Sequence, residues 1–119
     1  MVTSRSTKHH AKFVGEALIF SGRPNPAWPA PRYTVRKLEE IWRSLEPWAG
    51  ELPSPPPLGY RGCFLRGAGG REWFAYGGVA VLKIGGRTES RRDQGKKFEK
   101  LLLSSAPKGL IPTSLLKSL

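Results

Sequence analysis

Cysteine is almost missing from this chain: Cys63 stands alone, so no disulfide can form within it. Aspartate occurs once, as Asp93, and histidine only as the adjacent pair His9 and His10. Structural metal sites need several donors converging from separate positions, which two neighbouring histidines and a distant cysteine do not supply. No metal and no cofactor is therefore expected. Long apolar runs are absent too, which excludes a membrane span and a signal-peptide core. The expected setting is cytoplasmic, with the nucleus or the mitochondrion as alternatives. The start of the chain, with Arg5, Lys8 and Lys12 and no acid before Glu16, has a transit-peptide composition but lacks an apolar stripe.

Acidic residues are also scarce. Nine Asp and Glu face 20 Lys and Arg, leaving a formal charge of +11 over 119 residues. A surplus of that size repels itself in the compact state and calls for a negatively charged neighbour. What the chain does have in quantity is glycine (14), proline (11) and bulky aromatics, among them four tryptophans. Its length suits one domain with a real core, and its turn-forming residues predict long stiff connections around that core.

Residues 1–11 read as a basic flexible arm and 12–119 as a single small α+β domain. An apolar run from Lys12 to Phe20 predicts a strand buried on both faces at its far end, Val14, Leu18 and Phe20 on one face and Phe13, Ala17 and Ile19 on the other. The proline-rich stretch 21–31 predicts a rigid loop without regular structure, its Trp28 plugging the core or facing outward. Helical spacing of Val35, Leu38, Ile41, Trp42 and Leu45 predicts a helix over 35–46, with Thr34 as N-cap and Tyr33 stapled against Leu38. Its other face carries Arg36, Glu39, Glu40 and Arg43. The segment 47–58 is a proline-rich connector, a stiff linker or a polyproline ligand. Strands follow at 60–66 and 72–84, the second bent at Gly77-Gly78 and joined to the first by a hairpin loop at 67–71. A second helix is expected over 92–105, with Phe98, Leu101 and Leu102 inward, and a short turn capped by Thr113 closes the chain. The order strand, helix, strand, strand, helix predicts a small antiparallel or mixed sheet with two helices on one face.

Catalytic patterns fail one by one. Gly67, Gly69 and Gly70 lack the third glycine of a dinucleotide fingerprint, and no lysine with Ser or Thr follows a glycine loop. No nucleophile elbow occurs. Asp93 reads as a helix cap, Glu16 as a surface or arginine-paired carboxylate that burial would perturb, and Cys63 as a small core residue. An enzyme is not expected.

The stretches Phe20 to Trp28 (FSGRPNPAW) and Leu58 to Gly62 (LGYRG) resemble a group of small proteins that share this two-motif layout and have no assigned activity. The resemblance implies one domain after the arm and implies no function.

Basic side chains carry the remaining signal. Lys83, Arg87, Arg91, Arg92, Lys96, Lys97 and Lys100 crowd one region, and Arg92, Lys96 and Lys100 would draw a positive stripe along the second helix. Arg61, Arg66 and Arg71 add charge from the hairpin, while Arg23 and Trp28 sit on the stiff loop as a candidate anchor pair. These eleven residues, Arg23, Trp28, Arg61, Arg66, Arg71, Arg87, Arg91, Arg92, Lys96, Lys97 and Lys100, are the expected partner-binding set. The expectation is a non-enzymatic binding or assembly protein docking on an acidic protein surface or polymer, with a microtubule-type cytoskeletal assembly as one setting. The alternative is a nucleic-acid-binding or ribosome-associated domain; Trp73, Phe74 and Tyr76 beside Arg71 hint at its aromatic component but lack the spacing of an RNA-recognition sheet and read as core.

Overall fold

The computed structural model describes residues 12–119. The basic arm expected over 1–11, with His9 and His10, lies outside them. Over these residues the fold is α+β: a six-stranded sheet, antiparallel throughout, with three α-helices. In chain order the elements are β1 (Val14–Ala17), β2 (Ala27–Pro29), α1 (Arg32–Ser44), β3 (Cys63–Arg66), β4 (Glu72–Tyr76), β5 (Val79–Ile84), β6 (Arg87–Arg92), α2 (Lys97–Ser104) and α3 (Thr113–Ser118). Across the sheet the order is β2-β1-β3-β4-β5-β6. Each strand from β3 to β6 thus pairs with its chain neighbour through a short turn, and α1 with its connector fills the one long excursion.

Alternation along the strands separates two faces. Ala17, Cys63, Ala75 and Ala80 stand in one cross-strand row, and Gly15, Leu65, Trp73 and Leu82 in the next. These point toward the helices, where Val35, Leu38, Trp42, Phe98, Leu102 and Leu103 complete one core with Phe13 and Trp28. The opposite face carries Glu16, Arg66, Glu72 and Lys83 around Phe64, Phe74 and Val81. β1 is therefore buried on one face only, Val14 and Glu16 looking away from the helices, and it ends at Ala17, short of the far end expected to be buried on both faces; Leu18, Ile19 and Phe20 follow it half-buried and outside the strand.

Four further expectations are corrected. The segment 21–31 does contain a strand, β2, at the sheet edge. Ala17 donates to the Pro26 carbonyl and Ala30 to that of Phe13, flanking the Gly15–Trp28 pair. By alternation the nitrogen of Pro29 faces outward, so its missing N–H costs no ladder bond. The first helix starts at Arg32, three residues early, with Pro31 at its N-cap (φ −61°) and Thr34 buried inside. Pro31 presets the first turn, its carbonyl accepts from Val35, and Tyr33 stands 67% exposed instead of stapling. The run 72–84 is two strands: Gly77 and Gly78 both take positive φ (62° and 89°), the requirement of a two-residue hairpin turn. Finally, Arg87–Arg92 forms strand β6, so α2 begins only at Lys97.

The proline-rich connector links helix and sheet and lies along them. Pro47 bridges to Arg91, Trp48 N–H donates to the Ser90 carbonyl, and Arg92 N–H donates to that of Glu46. It thereby covers one end of the β6 edge. Pro53 then reaches the β4–β5 turn so closely that a Cβ on Gly77 would lie 2.8 Å from it. No helix among the described residues is long and apolar enough to cross a membrane.

Candidate functional site

The two motif segments meet. Leu18 N–H donates to the Gly62 carbonyl, Arg61 N–H to that of Leu18, and the Arg61 guanidinium to that of Phe20 at 2.6 Å. Asn25 closes the proline loop on itself, its Oδ1 accepting from the amides of Ile19 and Phe20 at 2.8 Å each. Arg23 lies over the Phe20 ring, 3.7 Å from its centroid. Arg61 therefore holds a loop in place, with Nε also donating to Gly59. Trp28 is buried (2% exposed), and its indole N–H donates to Ser105 Oγ at 3.0 Å. Of its two expected roles, plug and outward anchor, the plug is the one the fold builds. The anchor is corrected by burial.

The arginines of the expected set divide sharply. Arg66 pairs with Glu16 and lies 3.6 Å from Glu72, with its guanidinium over Phe64. Arg71 pairs with Glu39 of α1 at 3.2 Å and covers Phe13 and Trp73. Arg91 binds Glu89 at 2.6 Å, donates to the Trp42 carbonyl at 2.7 Å and stacks on Trp42. These three tie the sheet to itself and to α1. The others, Arg87, Arg92, Lys96, Lys97 and Lys100, make no ion pair among the described residues. They lie along β6, the turn after it and the start of α2, and the register sets Arg87 on the helix-side face of β6 and Arg92 on the opposite one. They do not form the helical stripe expected of Arg92, Lys96 and Lys100: Arg92 belongs to β6, where it stacks on Trp48, and Lys96 takes a left-handed conformation (φ 56°) before the helix.

Beneath this band lie two buried acids. Asp93 is 2% exposed and accepts from the amides of Phe98 and Glu99 at 2.8 and 3.0 Å, capping α2 as expected of it, although from beyond a short 3-10 turn. Glu99 is 1% exposed and accepts from the Tyr60 hydroxyl at 2.5 Å, while its Oε1 has no partner among the described residues. Loss of hydration holds both carboxyl groups above the usual range. For Glu99 the Tyr60 bond and Lys96 oppose the rise, and for Asp93 the two amides and the nearby lysines do. Cys63, fully buried against the Ala75 carbonyl, is pushed well above the ordinary thiol range, first by burial and then by Glu99. Burial likewise keeps the Tyr60 phenol protonated. A thiol held protonated in the core is not a nucleophile. Among the described residues no group of three or more His, Cys, Asp or Glu converges to hold a metal ion.

Glu99 makes stability depend on pH with a definite sign. A carboxyl group whose pKa is higher folded than unfolded favours folding below the unfolded value, and that favour is lost as pH rises toward the folded one. Glu99→Gln cannot ionise. Relative to wild type it is expected to gain stability from pH 4.5, the ordinary glutamate value, toward neutrality. Urea melts across that interval check it, and a constant offset between the two proteins would contradict it.

Trp73 belongs to the core, whereas Phe74 and Tyr76 lie half-buried on the open face of the sheet with Phe64. Phe64 and Phe74 are opposite neighbours, their ring centroids 4.9 Å apart. All three aromatics of β4 were expected in the core, and strand alternation sends only Trp73 there. With Leu18, Leu52, Pro55, Pro56 and Val81, Phe64 and Phe74 line a cleft of about 520 Å³. Pattern reading missed this cleft because its far wall comes from the connector. Compared with protein-family models, curated proteins and solved structures, the chain matches none of them.

Proposed function

We propose that the chain is a non-enzymatic binding protein that docks on an acidic protein surface or polymer, a component of a cytoplasmic assembly of the microtubule type. One observation carries this reading. In the stretch 87–100 the basic groups Arg87, Arg92, Lys96, Lys97 and Lys100 have no acidic partner among the described residues. Two of the three acids there, Asp93 and Glu99, are buried in structural roles. The third, Glu89, is held by Arg91. Every acid of this stretch is thus engaged or buried while five of its cations stay unpaired, which supports electrostatic steering toward an anionic partner. Surface ion pairs contribute little to folding, so cations left unpaired are available to a partner at small cost.

The test is capture of native partners on the immobilised full chain, with and without nuclease, followed by titration against polyglutamate and against single-stranded RNA. Retention of acidic proteins after nuclease, with polyglutamate affinity falling as salt rises, is expected. Recovery only without nuclease, with an RNA salt slope of about −0.7 per phosphate contact, would replace this reading by a nucleic-acid one.

A further inference from the structure

The open face of the sheet carries a second feature that the basic band does not use. Phe64, Phe74 and Val81 stand in one cross-strand row on β3, β4 and β5 and make an apolar floor. Gly62 lets the ring of Phe74 lie flat there: with φ at +112°, a Cβ on it would meet that ring at 2.5 Å and the Ala75 carbonyl at 3.0 Å. The connector supplies the opposite wall through Leu52, Pro55 and Pro56, and the motif junction closes one end with Leu18 and Arg61. Pro53 against Gly77 anchors the connector in that position. The volume of this open cleft, about 520 Å³, falls in the usual range of small-molecule sites, roughly 300–1,000 Å³.

Charge at the rim is unbalanced. Three charged residues line the cleft: Arg61, Glu72 and Lys83. Glu72 is engaged by Arg66, which also holds Glu16. Lys83 stands opposite Glu72 in register but makes no ion pair among the described residues, and Arg61 has only carbonyl partners, which leave its charge uncompensated. An apolar slot beside two uncompensated cations matches a ligand with an apolar body and one anionic head.

We propose that this cleft binds a small amphipathic anion, a monomeric medium-chain carboxylate or its aromatic equivalent, with the chain or ring over Phe64 and Phe74 and the carboxylate at Lys83. Neither Phe74 nor Lys83 belongs to the Arg87–Lys100 band, so the site stands whether or not that band docks on an acidic surface.

Decanoate and its neutral counterpart decanol are the probes, titrated calorimetrically into the full chain below micellar concentration. The wild type is expected to bind decanoate saturably and about tenfold more tightly than decanol, the size of one charge-assisted contact at a partly exposed rim. Lys83→Gln, a change at an exposed strand position, removes that advantage and leaves decanol unchanged. Val81→Trp fills the floor and abolishes both; Leu52→Ala weakens both in the event that the tryptophan unfolds the sheet. Absence of saturable binding by the wild type overturns the proposal. So does equal affinity for the two probes, or equal weakening of both by Lys83→Gln. Binding confined to phosphatidylglycerol vesicles, with none to monomeric decanoate, overturns it in favour of a lipid surface.

Discussion

Replacing Trp28 with alanine is expected to lower folding stability by about 3–5 kcal/mol, the range for truncating a large buried aromatic. The ring is 2% exposed and fills the space where β1, β2 and the end of α2 meet. Gly15 is flush against it, since a Cβ there would approach the indole to 2.6 Å, so β1 cannot collapse inward without a backbone shift. The indole N–H also orders the end of α2: Ser105 accepts it and passes a hydrogen bond to the Leu102 carbonyl at 2.6 Å. Small domains hold about 5–15 kcal/mol in total, so the variant loses a large share of its stability. Trp28→Phe retains most of the buried area but removes the donor to Ser105, whose own bond to Leu102 remains, and is expected to cost less than alanine by about half. Urea melts followed by circular dichroism decide the matter. An alanine variant within about 1 kcal/mol of wild type that nevertheless loses partner capture would restore Trp28 as an outward anchor.

Which parts of the fold could be read in advance follows from where their determinants lie. The stripe Val35, Leu38, Trp42 and Leu45 was legible because a helix writes its buried face at a local period, and all four are in the core. The hairpin loop at Gly67–Arg71 was legible for the same reason: Gly67 N–H donates to the Arg71 carbonyl, closing the turn where turn chemistry clusters. β6 was not. Its sequence, RTESRR, has no apolar alternation, because it is an edge strand held by β5 on one side and by the connector at Trp48 and Glu46 on the other. Those contacts are remote in sequence, and a polar run ending in Asp93 reads locally as a helix start. β2 was hidden by its prolines, which suit an edge strand only once the register puts Pro29 nitrogen outward.

The candidate site shows the same division. The count of basic residues was legible, but their availability was not, because it depends on which carboxylates the fold delivers. Arg66, Arg71 and Arg91 look like Arg87 or Arg92 in a sequence, yet each is met by an acid from another element or a neighbouring position. Asp93 and Glu99, which appear to dilute the positive region, are withdrawn into the interior. Folding thus engages the cations of the hairpin and leaves five of those in 87–100 without acids, and it also creates the cleft, whose floor and roof lie on segments with no common local pattern.

Reversing three cations of that band should therefore weaken docking far more than the loss of net charge alone. Arg87→Glu, Lys97→Glu and Lys100→Glu together are expected to reduce affinity for polyglutamate on the order of 100-fold, since like charges opposed across an interface cost several kcal/mol. All three positions are exposed, and none makes an ion pair among the described residues. A glutamate at position 97 enters the first turn of α2, where the helix dipole favours negative charge, so the fold should tolerate it. Each reversal removes two charges, taking the chain from +11 to +5. The matched control reverses Arg32, Arg36 and Lys37, exposed residues in the first turns of α1, for the same net charge. If long-range attraction alone drove binding, the two triple variants would lose affinity equally. If the band is the docking surface, the control loses less than about tenfold, because charges beyond a Debye length of about 8 Å from the contact are screened at physiological salt. Equal losses would dissolve the band into general basicity, and an unchanged first variant would move the docking surface elsewhere on the molecule.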